Sequence, residues 1–280
     1  MLRAAVTNIN LGGSVGISFD RAKFEKLAGP FAEWPRILCP QCGEITLEPR
    51  IEKFESFASL ELRETAESVD SDVEESDPFG FFYGELKCPR LPCGNRHIVV
   101  GEWSLEWGPA SVKGSEDDPY LVGYSVRHIL PELPLIELPH GTPEDLKDII
   151  ASASRVLLSD PNAAANRIRS AIECLLNHKR VKKFGIDRRG KRFRLSTHAR
   201  IELFNQVNEL AGVQLMAMKW IGNAGSHESE IIPLDHALNG IEHFARALEL
   251  VYDPRERELQ RRAAQIIKTK GKAPKNPGGK

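Results

Sequence analysis

Two pairs of cysteines carry the clearest chemistry in this sequence. Cys39-Pro40-Gln41-Cys42-Gly43 and Cys88-Pro89-Arg90-Leu91-Pro92-Cys93-Gly94 each hold two thiols at the spacing of a tight turn. The glycine after each pair permits the backbone conformation that such a turn needs. Four thiolates from two turns close a tetrahedral shell around Zn2+, with Cys39, Cys42, Cys88 and Cys93 as ligands and no position left open for water, so the expected zinc is structural. The wider second pair still falls within ordinary ligand spacing. Two other readings stay open: free or redox-active thiols, and a shell in which His97 replaces one cysteine, although a surface or core histidine is the plainer reading of that residue.

A second set of polar residues falls at helical spacing. Arg169 and Glu173 stand four apart, a cation and a carboxylate on one face, and Arg169 shares its face with Ala165, Ile172 and Leu176. A partly buried arginine needs a partner, and Glu173 supplies one, which reads most simply as a structural ion pair between packed helices. Lys219, Asn223 and His227 stand one turn apart if the helix there continues: a cation, an amide and an imidazole in a column. The other histidines, including His128, His140, His178, His198, His236 and His243, show no ligand spacing. Cys174, beside Leu175 on an apolar helix, reads as a small buried hydrophobe.

Two regions must position these groups. The chain has 280 residues, 41% hydrophobic and 28% charged, with a formal net charge of -1, which describes an ordinary globular protein and rules out one that coats nucleic acid by global charge. Residues 1–123 are expected to form a mainly β, zinc-ribbon-like module. Its clearest strand is His97 to Trp107, where Val99, Trp103, Leu105 and Trp107 share one side of a period-2 pattern. It is interrupted by an acidic loop, Glu61 to Asp77. Pro131, Pro134 and Pro139 mark an extended connector over 124–140.

From 141 to 253 the periodicity is helical. Thr142-Pro143-Glu144-Asp145 opens one helix, to about Leu158, and Asp160-Pro161 opens the next. Ile186 to Arg194 reads as a basic, Gly-containing loop. Ser196 starts a third helix through Ile201, Phe204, Val207 and Leu210, with Gly212 fitting its end; a fourth spans Gln214 to Asn223. Leu234, Ala237, Ile241, Phe244, Leu248 and Val251 make the cleanest helical stripe. Residues 254–280 read as a charged helix running into a basic, disordered tail. The fold class is therefore α+β: a β module followed by an all-α bundle.

Arg169-x3-Glu173 after Asp160-Pro161-x2-Ala164-Ala165, then Trp220-Ile221-Gly222-Asn223-x3-His227 and a helix ending Leu250-Val251-Tyr252, resembles the family catalogued as domain of unknown function 4145. The likeness covers about Tyr124 to Tyr252, and the Gly-Asn-x3-His element is its most specific part. That family is similar to the HEPN superfamily of helical domains, which frequently dimerise and occur in bacterial antiphage, restriction and toxin systems. Many HEPN proteins are metal-independent endoribonucleases with an Arg-x4-6-His pair. The resemblance implies His227 as acid/base on a ribose hydroxyl, with Asn223 beside it, and a cation on the phosphate. Gly222 stands where the arginine usually stands, which leaves Lys219 or Arg169 for that role.

The expected function is a zinc-stabilised, HEPN-like binding or regulatory protein connected with nucleic acid, in antiphage defence if the resemblance holds. Its expected partners are a second copy of the chain, RNA or DNA, and a protein of a defence system. The alternatives are a metal-independent endoribonuclease and a purely structural adaptor. Met1 to Lys26 has no sustained apolar core or cleavage site, and no apolar run is long enough to cross a bilayer, so the expected location is the cytoplasm, where structural disulfides are disfavoured.

Overall fold

The computed structural model of the chain describes residues 19–60, 79–107, 120–224 and 232–271. The acidic segment over 61–77, His227 and the tail from 272 lie outside them. The described part is α+β as expected, five strands of one sheet preceding most of the helices.

Asp20 accepts the backbone N–H of Lys23 at 3.1 Å and so starts α1 (Arg21–Ala28). The sheet that follows is antiparallel. Strands β3 (Phe79–Lys87), β4 (Arg96–Trp107) and β5 (Tyr120–Leu130) lie side by side, while β1 (Glu48–Pro49) and β2 (Glu55–Ala58) share the outer edge of β3, one at each end. β2 and β3 are direct partners, with Ala58 opposite Gly80. β3 alternates cleanly: Gly80, Phe82, Gly84 and Leu86 face inward and are buried, whereas Phe79, Phe81 and Tyr83 face outward and are exposed. Of the pattern expected for β4, Val99 is fully buried and Trp103 packs against the core. A bulge at Val100/Gly101 gives β5 one extra residue, Arg127, whose guanidinium reaches Glu102 at 2.7 Å.

Next to β3 the inner face of the sheet is covered by aromatic rings. Trp34 sits 5.0 Å from Phe31, 5.1 Å from Phe54 and 6.1 Å from Phe82, mostly edge-to-face. Gly84 makes room for this: a Cβ there would lie 2.5 Å from the Phe54 ring.

Tyr124 to Leu130, expected as the start of the connector, is the second half of β5. The rest of that passage is irregular, but Leu133, Leu135 and Ile136 are buried, so it is packing material as well as a link. Ser154 donates its hydroxyl to the Leu133 carbonyl at 2.6 Å, and Arg155 pairs with Glu132 at 3.0 Å. α1 completes the junction by lying on β5 and on a helix of the second half, where Arg21 bonds Asp235 and Asn239.

The second half contains α2 (Glu144–Val156), α3 (Pro161–His178), α4 (Thr197–Asn205), α5 (Glu209–Ala224), α6 (Leu234–Tyr252) and α7 (Pro254–Thr269). Asp160, Ser196 and Asp253 cap α3, α4 and α7 with their side chains, as their sequence positions suggest. Thr142 does not cap α2; its hydroxyl donates to the Pro139 carbonyl at 2.8 Å. α3 is the central helix. It packs against α2, α4, α5 and α6, and its Ala164, Ala165, Ile168, Ala171, Ile172, Leu175 and Leu176 are all completely buried. The alanines let neighbouring helices approach closely while the larger residues fill the grooves.

Two further expectations fail in this half. Residues 186–194 are not a simple loop: β6 (Phe184–Ile186) and β7 (Arg192–Arg194) pair as a short antiparallel hairpin. The single helix expected from Ser196 to Gly212 is two helices. The chain turns at Gln206–Asn208, Asn208 caps α5 by accepting the N–H of Ala211 at 3.2 Å, and Gly212 lies inside α5. Among the described residues no helix is long and apolar enough to cross a membrane.

Candidate functional site

The two cysteine pairs arrive from separate pieces of chain. The first pair lies on a turn ahead of β1, closed by the Cys39 N–H donating to the Ile45 carbonyl and the Gly43 N–H donating to the Cys39 carbonyl, both at 2.8 Å. The second lies on the β3–β4 connection, where the N–H groups of Cys93 and Gly94 both donate to the Arg90 carbonyl at 3.0 Å. Gly43 and Gly94 have φ of 68° and 58°, in the left-handed region, which is why glycine follows each pair.

The four sulfurs converge within 4.8 Å of one another. Cys39 and Cys93 are 3.7 Å apart, Cys42 and Cys88 3.8 Å. Disulfides would bring sulfurs to about 2.05 Å. A tetrahedron with metal–sulfur bonds of about 2.3 Å has edges of roughly 3.8 Å. The sulfur positions therefore fit a four-thiolate metal shell, and the cluster could hold a metal ion. Backbone N–H groups of Glu44, and more weakly Ile45, push the Cys42 thiol down to about 6. Burial pushes the Cys88 thiol up to about 12. A bound cation would favour thiolate at all four.

His97 is not a ligand. It is buried, and its Nδ1 lies 2.7 Å from the Pro131 carbonyl, which can only accept. Nδ1 therefore carries the proton and Nε2 accepts from the Asn95 amide at 3.0 Å; that amide also lies 3.9 Å from Cys39 Sγ. This is the core-histidine reading, and through Asn95 it steadies one sulfur.

In the helical half the expected Arg169–Glu173 pair does not form among the described residues. Glu173 accepts instead from the Thr197 hydroxyl at 2.8 Å and from Arg194 at 3.2 Å, tying α3 to α4 and to the hairpin. Arg169 comes near Lys219 of α5: burial, and then the Arg169 charge, depress the lysine. Lys219 is only 7% exposed, its ammonium 3.4 Å from the centre of the Trp220 ring. Asn223 lies in the last turn of α5, and His227 lies outside the described residues.

Two further groupings bring reactive or charged side chains together. The first is the hairpin, whose flanks and strands carry nine lysines and arginines between 179 and 194 against one acid, Asp187. The second joins Asp145 of α2 to Cys174 and His178 of α3. The Asp145 carboxylate lies 2.8 Å from His178 Nε2 and accepts from the Cys174 thiol at 3.4 Å. Cys174 is thus half-buried and hydrogen-bonded, not a plain hydrophobe. The one signal in the sequence is the four-residue interval between Cys174 and His178; their partner, far back in the chain, gives none. The His178 hydrogen bond holds the Asp145 carboxyl below its usual range, and burial pushes the Cys174 thiol up to about 11.

Residues 151–270 match the sequence profile of a family described as Domain of unknown function (DUF4145). The match spans the end of α2 through α7 and leaves out the cysteine module. No curated protein and no solved structure matches the chain.

Proposed function

We propose that this chain is a zinc-stabilised nucleic-acid-binding protein whose β6–β7 hairpin grips the phosphate backbone. Zinc is the metal that suits a closed, four-thiolate tetrahedron in which no position is left for chemistry, so its role is to hold the β module together.

The observation that carries the nucleic-acid reading is the hairpin. Its one acid is used up in the turn, where Asp187 Oδ1 accepts the N–H groups of Arg189 and Lys191 at 2.9 and 2.8 Å. Every β7 residue is exposed, as are Phe184 and Ile186 of β6. Arg192 stacks on the Phe184 ring at 3.7 Å. Cations neutralise phosphates, and exposed Phe184 and Phe193 offer faces on which unpaired bases stack. The aromatic rings favour single strands over duplex.

Fluorescence anisotropy with labelled single-stranded RNA, single-stranded DNA and duplex tests the reading. Wild-type binding should weaken steeply with salt. Replacing Lys182, Lys183, Arg188 and Arg189 by glutamine should lower the salt slope by about one for each phosphate no longer neutralised. Equal affinity in that variant, or binding indifferent to salt, would overturn the proposal.

One observation supports a second reading, RNA cleavage. The Arg169 charge acts on Lys219 of α5, the helix that also carries Asn223, and the HEPN resemblance implies a cation in that role. On this reading purified protein cleaves RNA without added metal, and His227→Ala abolishes cleavage with helical content unchanged. A setting in antiphage defence rests on the same resemblance, and plaque counts with and without the gene test it.

A further inference from the structure

Cys174 and His178 are four residues apart on α3, and both aim at one carboxylate on the neighbouring helix α2. The three donor atoms, a sulfur, an imidazole nitrogen and a carboxylate oxygen, lie within 4.8 Å of one another. A tetrahedral ion with a sulfur bond of about 2.3 Å and nitrogen and oxygen bonds of about 2.0 Å needs a sulfur–oxygen edge of roughly 3.5 Å and a nitrogen–oxygen edge of roughly 3.3 Å. The Cys174–Asp145 separation of 3.4 Å already has that value. His178, at 2.8 and 3.0 Å from the two carboxylate oxygens, has only to draw back by a fraction of an ångström.

We propose that Asp145, Cys174 and His178 form a second metal site on this chain, taking a borderline transition ion such as Zn2+ with a fourth position open to solvent. An ordinary ion pair between α2 and α3 would need only Asp145 and His178. The thiol adds little to such a pair, yet it supplies the soft donor that zinc prefers to further oxygen. Asp145 is oriented by the backbone N–H of Leu146, which donates to Oδ1 at 2.9 Å. His178 is the last residue of α3, where the unsatisfied carbonyls of the helix end favour a cation. The nearest competing cation on that turn, Lys179, places its ammonium over the Tyr252 ring, 4.1 Å from the ring centre.

The site differs in kind from the cysteine cage. Asp145 and His178 side chains are 62% and 37% exposed, so water has access and the ion exchanges, whereas the cage is closed. Metal here ties the first turn of α2 to the last turn of α3 and stabilises the helical half in proportion to its occupancy.

The test counts metal on the full chain. After equilibrium dialysis against micromolar free zinc, wild type should hold two equivalents, and a mild chelator should strip one of them first. His178→Ala should hold one equivalent, with the cage loaded. Cys174→Ser keeps the size and the hydrogen bond of the residue and so serves where the alanine variant folds poorly. Cobalt added to wild type from which the chelator has stripped the second equivalent should give a single-thiolate charge-transfer band that Cys174→Ser lacks. Zinc above cage saturation should raise the melting temperature of wild type and leave that of Cys174→Ser unmoved. A wild-type chain that stops at one equivalent, or a Cys174→Ser/His178→Ala double variant that still holds two, would overturn the proposal.

Discussion

The β module and the helical half achieve order by different means. In the module, rings cluster around Trp34 on one face of the sheet, the opposite face exposes Phe79, Phe81 and Tyr83, and two distant turns meet at four sulfurs, flanked by an Arg90–Glu44 ion pair at 3.0 Å. In the helical half, α3 buries a continuous stripe among four neighbours and needs no cross-link. A sheet covered on one side has too little apolar interior to hold loops at its end, and a metal on the four thiolates would supply what packing lacks. A helix surrounded on most sides obtains the same order from close packing alone.

The largest expected effect removes the metal shell. Structural zinc sites are worth about 10–16 kcal/mol in isolated fingers, as much as a whole domain's usual margin of about 5–15 kcal/mol. Cys39→Ser should therefore unfold the module, seen as loss of the near-ultraviolet signal of Trp34 and Trp103, while the far-ultraviolet helical signal persists. If the helices collapse with it, the two regions are not independent and the comparison breaks. Next comes the core of the other half. Phe244 is completely buried on α6, and Phe244→Ala should destabilise urea unfolding of the helices by about 3–5 kcal/mol with the metal of the cage retained.

The smallest effect sharpens the comparison at the junction. Hydrogen bonding to Arg155 holds the Glu132 carboxyl below its ordinary value. A depressed carboxyl stabilises the folded state above its unfolded value, about 4.3, and that contribution disappears as pH falls through the lower folded value. Glu132→Gln should cost under about 1 kcal/mol at neutral pH, since Arg155 is half exposed. The difference from wild type should vanish in acid melts; a difference that persists there would mean the pair contributes by packing.

Much of this arrangement is legible in the residues. The cysteine spacing with its two glycines specifies the cage, and the capping residues of α3, α4 and α7 specify where those helices begin. The hairpin is not legible, because two three-residue strands, one of them exposed throughout, are too short to show an alternation. The break between α4 and α5 is hidden by Val207 and Leu210, which continue an apolar series yet point into solvent. Local spacing pairs Glu173 with Arg169, but Thr197 and Arg194, farther along the chain, claim it instead. Position 145 can be linked to 174 and 178 only once the crossing of two helices is known.

The pairing of Ala58 with Gly80 has an engineering corollary. Because adjacent strands hold both ends of the intervening segment side by side, its length is nearly decoupled from the sheet: doubling the length of a connection between fixed ends changes the closure entropy by only about 0.6 kcal/mol. A fluorescent protein, an affinity tag or a protease site spliced between those strands would ride on the module without loosening it.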